Sequence, residues 1–342
     1  MNKSNIIGTG IIILLTLSII GFLIIPDLFY EKVAPEIEKI TKEQNQVSEE
    51  QNKLSPELQE LSDENRKRLT RGCLTGKDCI PSIDDPEFLT ISEVDYLEPD
   101  DLVLSLNYQD QARAYPIKIM NYHEIVNDFV NEKPVLITFC PLCFSGVAYE
   151  REIDGEPVEF GVSGKLLNSN LVMYDRKTES YWEQISGEAI VGPLTGEKLQ
   201  FINIWTIPYQ EFINENPDGI VLSNETGFQR NYDVFPYGDY NENNERVMFP
   251  LENKDDRLAT KELIYGVFVD DFRKAYPIEL LNERFPDGGE FIDEIGDREV
   301  QISYDGNNRF RAINPETGEE YDHQIGFYFS WAAFFPETEL YQ

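Results

Sequence analysis

Two stretches of the chain read alike, Leu102–Asn121 (LVLSLNYQDQARAYPIKIMN) and Leu263–Asn282 (LIYGVFVDDFRKAYPIELLN), and this repeat limits the fold more than any other feature. They share a leading Leu, the run Ala-Tyr-Pro-Ile and a closing Asn, with Arg113 matched by Lys274. In each, an alternating apolar run, a polar turn at Asp110 or Asp271 and a second short run ending at proline predict a hairpin that leads into a helix. A strand follows each copy, Val135–Phe139 in the first and Glu299–Tyr304 in the second. The expectation is therefore a β-rich α+β body on a duplicated strand-strand-helix-strand unit, residues 102–140 and 263–304. Between the copies, Asp154-Gly155, Ser163-Gly164, Ser186-Gly187 and Thr195-Gly196 read as turns between short strands, and only Pro208–Asn216 reads as helix.

The body has a tethered look. Ile6–Ile25 is an uncharged, Ile- and Leu-rich run, long enough as a helix to cross the roughly 30 Å hydrocarbon core of a bilayer. Pro26-Asp27-Leu28 is no cleavage site for a signal peptidase, so residues 1–30 read as a signal anchor. Lys3, the one basic residue before the run, favours an N-terminus inside the cell membrane and a body outside the cytoplasm. Residues 31–72 have the composition of a helical stalk. A weak coiled-coil seam runs through Ile37, Ile40, Gln44, Val47, Gln51, Leu54, Leu58 and Leu61, fit for weak self-association or a solvated spacer. Ser55 and Pro56 mark the start of a second helix within it.

Of a net charge of −34, −32 falls on the body from Cys73 to Gln342. That excludes nucleic acid as a partner, because phosphate binding relies on Lys and Arg. It fits a displayed domain kept soluble by its own repulsion.

The sharpest chemistry is Cys140-Pro-Leu-Cys143, at the end of the strand VLITF. The second copy has Tyr304-Asp305-Gly306 at that place, so the unit folds without cysteines there and the pair is marked for a task. Three readings stand. In the preferred one, two thiolates hold copper or zinc, with His123 completing the set, and His323, Met120, Cys73 and Cys79 are the alternative candidates for the remaining ligands. In the second, the pair is a redox dithiol, without the helix N-terminus that usually lowers a thiol pKa. In the third, the cysteines are structural and the body is a non-catalytic binding module. Cys73 and Cys79 read as a local disulfide in an oxidising compartment.

A polar loop forms a second candidate site, with Lys165, Asn168, Asn170, Tyr174, Asp175 and Arg176 close together in sequence. Gly161-Val-Ser-Gly-Lys165 lacks both the spacing and the Ser or Thr of a phosphate loop, so no nucleotide cofactor is expected. The pairs Asp84-Asp85, Asp255-Asp256 and Asp270-Asp271 read as turn residues before calcium ligands. Asn224-Glu-Thr226 is a glycosylation sequon. No nucleophile elbow, zinc-protease helix or dinucleotide fingerprint is present.

A set of ordered motifs carries a resemblance: Ile80–Pro86, Ala114–Ile117, His123–Asp128, Thr138–Gly146, Gly161–Gly164, Asn168–Arg176, Gly187–Gly196 and Trp331–Leu340. Over about residues 80–342 the chain resembles the family known as domain of unknown function 3179. The resemblance implies an exported or membrane-attached protein of bacteria or archaea, and no catalytic assignment to carry over. Family members often have glycine after Cys-Pro-Leu-Cys, where this chain has Phe144, and histidine in the closing motif, where it has Phe335.

Overall fold

The computed structural model describes residues 54–306 and 309–342. The apolar run Ile6–Ile25 and the stalk seam from Ile37 to Gln51 lie outside the described residues. Among the described residues, no helix is long and apolar enough to cross a membrane.

The first described helix, α1 (Pro56–Arg68), begins where the sequence places it. Ser55 Oγ accepts from Leu58 N at 3.2 Å, Pro56 fills the first turn, where an N–H would lack a partner, and Arg66, Lys67 and Arg68 sit at the negative end of the dipole. This helix, read from sequence as the end of the stalk, is docked on the body. Asn65 Nδ2 donates to Ile190 O at 3.1 Å and Gly192 N to Ser62 Oγ at 3.1 Å.

β1 (Thr70–Arg71) and β2 (Phe88–Thr90) lead to the first hairpin, β3 (Leu102–Tyr108) and β4 (Gln111–Pro116). Gln109 and Asp110 turn it with positive φ at both residues, matching the twist of two-residue hairpins. Then come α2 (Ile117–His123) and a second hairpin, β5 (Ile125–Val130) and β6 (Lys133–Cys140). An inserted stretch follows: β7 (Ser145–Glu150), β8 (Glu152–Ile153), β9 (Glu156–Pro157), β10 (Phe160–Leu167), β11 (Asn170–Asp175), β12 (Tyr181–Glu183), β13 (Ala189–Val191) and β14 (Phe201–Ile202). β15 (Trp205–Pro208), α3 (Tyr209–Glu215) and β16 (Ile220–Leu222) complete the first half. The second half runs β17 (Leu263–Val269), β18 (Phe272–Pro277), α4 (Ile278–Arg284), β19 (Gly289–Ile295), β20 (Arg298–Tyr304), β21 (Phe310–Ile313), β22 (His323–Phe327), α5 (Tyr328–Phe334) and β23 (Glu339–Leu340).

The body is thus β-rich α+β, with five α-helices among the described residues. Each of the two similar stretches has one more strand than the sequence predicts, since β5 and β19 pair with β6 and β20. The likeness also extends further than the matched residues. The first hairpin lies in a sheet of order β15-β3-β4-β16-β2, the second in one of order β22-β17-β18-β23. In both, an antiparallel strand feeding a helix flanks one side of the hairpin, and a parallel strand flanks the other. The helices α3, α4 and α5 each stop at a residue preceding proline, namely Asn216, Phe285 and Phe335, because proline clashes with an α-conformation in the residue before it.

Each half is locked by a buried cation, a carboxylate and a tyrosine. Arg113 Nη1 donates to both oxygens of Asp128 at 2.6 and 2.5 Å, and Tyr115 OH donates to Asp128 at 2.6 Å. Lys274 pairs with Asp293 at 2.8 Å, and Tyr276 OH donates to Asp293 at 2.7 Å.

Ser163-Gly164 is not a turn. The register of β10 against β11 shifts between Val162 and Lys165, and Gly164 sits at φ +71, where a Cβ would lie 2.6 Å from Gly76 O. The reversal falls at Asn168-Ser169, both at positive φ.

Candidate functional site

Cys140 ends β6, and Cys143 lies in the short loop to β7, whose register closes at Cys140 and Ser145. Cys143 N donates to Cys140 O at 3.1 Å, which makes the two cysteines the ends of a β-turn. The Cα separation of such turns overlaps the range that disulfides span. Both are free thiols, 2% and 0% exposed. Both face the Ser169 carbonyl, 3.3 Å from Cys143 Sγ and 4.0 Å from Cys140 Sγ. Burial pushes the Cys140 thiol well above its ordinary range, and Cys143 and Glu124 push it the same way. At neutral pH Cys140 is therefore a thiol.

The loop is held from three sides. Phe144 closes it at φ +51, with its ring near those of Phe139 and Phe327. Tyr240 OH donates to Leu142 O at 2.9 Å, and Lys261, whose Nζ lies 3.3 Å from the Tyr240 ring centroid, donates to the carbonyls of Tyr240 and Asn243. From the second half, Phe327 N donates to Cys143 O at 2.8 Å. Behind the loop, Gln184 Nε2 donates to Thr138 Oγ1 and Ser145 O, and Asn170 Nδ2 donates to Gln184 Oε1. Ser169 Oγ and Asn170 Oδ1 are buried there with no hydrogen-bond partner among the described residues.

Glu124 enters this site without having stood out in the sequence. It caps α2 in the left-handed region at φ +59, a conformation that costs an L-residue about 1–2 kcal/mol, whereas α3, α4 and α5 end at negative φ. Burial pushes its carboxyl up to about 8, although the Tyr237 hydroxyl, which donates to Oε1 at 3.2 Å, acts the other way. A glutamate at the carboxyl end of a helix opposes the dipole, and that mismatch is the signal the sequence offered.

His123 is turned to other work. Its Nδ1 donates to Pro81 O and its Nε2 accepts from Tyr232 OH, both at 2.8 Å, and burial lowers its pKa, which fits a neutral ring. Among the described residues, the one group bringing three such donors within 4.8 Å of one another is Glu211, Glu215 and Asp305. The structure therefore does not gather His123 with Cys140 and Cys143. His323 is buried elsewhere, with Nδ1 donating to Tyr321 O at 3.3 Å and burial pushing its pKa down to about 4. Met120 is buried in the core of the first half. Cys73 and Cys79 are joined in a disulfide.

The polar loop does not converge on one point. Asn168 Oδ1 accepts from Glu252 N and Asn170 joins the network behind the cysteines. Tyr174 OH donates to Asp78 at 2.5 Å, and Arg176 binds Asp84 at 2.6 Å and Glu159 at 3.0 Å. Asp175 is buried and organises its own turn, accepting from Ser180 N and Trp182 Nε1. Lys165 pairs in register with Arg71 at the sheet edge. The acidic pairs are likewise engaged, with Asp255 on Arg257 and Asp270 on Arg298.

Fold and site together define a β-rich α+β body with a buried dithiol at the tip of a hairpin. Residues 77–325 match the family described as "Protein of unknown function (DUF3179)", and the chain belongs to that family. No curated protein and no solved structure matches the chain. Phe144, which follows the second cysteine, holds the left-handed backbone that glycine adopts most easily.

Proposed function

We propose that Cys140 and Cys143 form a buried thiol–disulfide pair, carried on a body anchored outside the cytoplasm by residues 6–25. The observation that carries this is the convergence of the two thiols on one carbonyl, that of Ser169, across a turn whose span suits a disulfide. The Cys73–Cys79 disulfide supports an oxidising compartment. In the reaction, a thiolate formed from one cysteine attacks a partner disulfide and releases one thiol. The second cysteine then attacks the mixed disulfide and releases the other, so the partner gains two electrons and two protons. The raised pKa of Cys140 makes this exchange slow at neutral pH and faster as pH rises.

Metal binding is the second reading, and the donor set narrows it. Zinc in a structural site takes four ligands, and His123 is committed elsewhere. Two thiols, with Met173 in the same apolar cluster, suit copper(I) as a soft ion.

Titration of the purified chain against glutathione and its disulfide, read by mass after alkylation, tests the first reading. The expected result is a gain and loss of two protons in wild type and none in Cys140→Ser. A pair that stays reduced and unalkylated at every poise would overturn it. Copper loaded under reducing conditions and retained equally by wild type and Cys140→Ser would sink the second.

A further inference from the structure

A cavity of about 730 Å³ lies between the inserted stretch and the second half, and neither Cys140 nor Cys143 lines it. Its size is that of a small-molecule site. Most of its charged lining is already paired: Arg68 with Glu252 at 2.6 Å, Lys198 with Glu188 at 3.3 Å, Asp270 with Arg298 at 2.9 Å and Glu320 with Arg311 at 3.1 Å. Three lining groups, Arg273, Glu183 and Asp322, have no ion pair among the described residues.

Arg273 is built in rather than dangling. Its Nη1 donates to the carbonyls of Asp270 and Phe272 at 2.8 and 2.6 Å, and its guanidinium lies over Phe268 and Phe335, 4.7 and 5.5 Å from the ring centroids. Nε is buried with no acceptor, and Nη2 also makes no hydrogen bond among the described residues. Glu183 receives only the Ser186 hydroxyl, at 2.7 Å. Burial raises the carboxyl pKa of Asp322 and takes that of Glu183 up to about 7. Asp322 and Arg273 attract one another across the cavity without closing to ion-pair distance. Phe201, Phe268 and Phe335 supply the apolar wall.

A simple anion would answer Arg273 and oppose Asp322, and a simple cation would do the reverse. A molecule carrying both charges answers Arg273 and Asp322 together, and guanidinium–carboxylate pairing is among the strongest contacts available to it. We propose that this cavity binds a zwitterionic amino acid or dipeptide with an apolar side chain, its carboxylate on Arg273, its ammonium on Asp322, and its side chain against the phenylalanines.

Calorimetry on the 342-residue chain in detergent, with empty-micelle blanks, tests this with four probes: L-phenylalanine, L-alanyl-L-phenylalanine, 2-phenylethylamine and 3-phenylpropanoate. The expected result is binding of at least one zwitterion, with each singly charged analogue weaker by about tenfold or more, near 1.4 kcal/mol. Which zwitterion binds tells the amino acid from the dipeptide. Asp322→Asn, which keeps shape, and Arg273→Gln should each weaken binding by about tenfold or more; if Arg273→Gln does not fold, Asp322→Asn decides. No binding of either zwitterion at millimolar concentration would overturn the proposal. So would an analogue as tight as the zwitterion, or undiminished binding in folded Asp322→Asn.

Discussion

In the first half the repeated unit closes its lock with Arg113 and leads into Cys140 and Cys143; in the second it closes its lock with Lys274 and leads into Tyr304, Asp305 and Gly306. The backbone plan is shared, so the difference separates what the unit needs in order to fold from what one copy adds. A cation, a carboxylate and a tyrosine are needed by both. The dithiol, the left-handed Glu124 and the Phe144 loop belong to the first half alone, where the inserted stretch begins.

The comparison can be broken first at the locks. In the first, the side chains of Arg113 and Asp128 are 10% and 4% exposed; in the second, that of Asp293 is 18% exposed, and Lys274 has Glu339 as a second partner at 3.8 Å. Asp128→Ala should cost about 3–5 kcal/mol, the usual result of stranding a buried charge, and Asp293→Ala about 1–2 kcal/mol. Urea midpoints at unchanged slope measure both; equal losses would show that the two locks do not differ in burial.

Glu124 sharpens the contrast next, since the matching helix of the second half ends at Phe285. Its folded pKa, about 8, lies above the ordinary 4.5. Between those values the folded state holds a proton the unfolded chain has lost, so stability falls as pH rises, at up to about 1.4 kcal/mol per pH unit. Glu124→Gln keeps an acceptor for Tyr237 and removes the charge. It should flatten this slope and exceed wild type at pH 9 by about 2–4 kcal/mol, as read from denaturant melts across pH. An unchanged slope would mean that Glu124 is ionised in the fold.

The smallest effects lie in the loops. Gly306 is at φ +84, so Gly306→Ala should cost about 1–2 kcal/mol in backbone strain. Phe144→Gly relieves strain at φ +51 but gives up its ring contacts, and a net loss of about 1 kcal/mol is expected. Thermal melts that stabilised Phe144→Gly by more than the error would show that its ring contributes nothing.

Much of this fold was written in local pattern. Alternation around Asp110 and Asp271, the proline that ends each second run, and the Pro208–Asn216 helix are all period and punctuation, and all appear in the structure. The strands β5 and β19 escaped notice. Their turns lack a recognisable signal in the first copy, where Asn131 and Glu132 hold positive φ without glycine. Ser163-Gly164 reads as a turn but is a bulge, and the turn itself, Asn168-Ser169, lacks glycine and was missed for the same reason. At the site, the cysteine pair was legible from spacing. Tyr237, Tyr240 and Lys261 were not, because they come from a stretch without periodicity and meet the loop only in three dimensions. His123 was read as a ligand from its nearness in sequence, but its ring is spoken for by Pro81 and Tyr232.

One backbone bond ties the two halves at the place where they differ, from the amide of Phe327 to the carbonyl of Cys143. That amide is a built-in reporter. Its hydrogen-exchange rate and its NMR shift follow the cysteine loop from the far half of the chain, so the state of the sulfurs can be followed without a label on either of them.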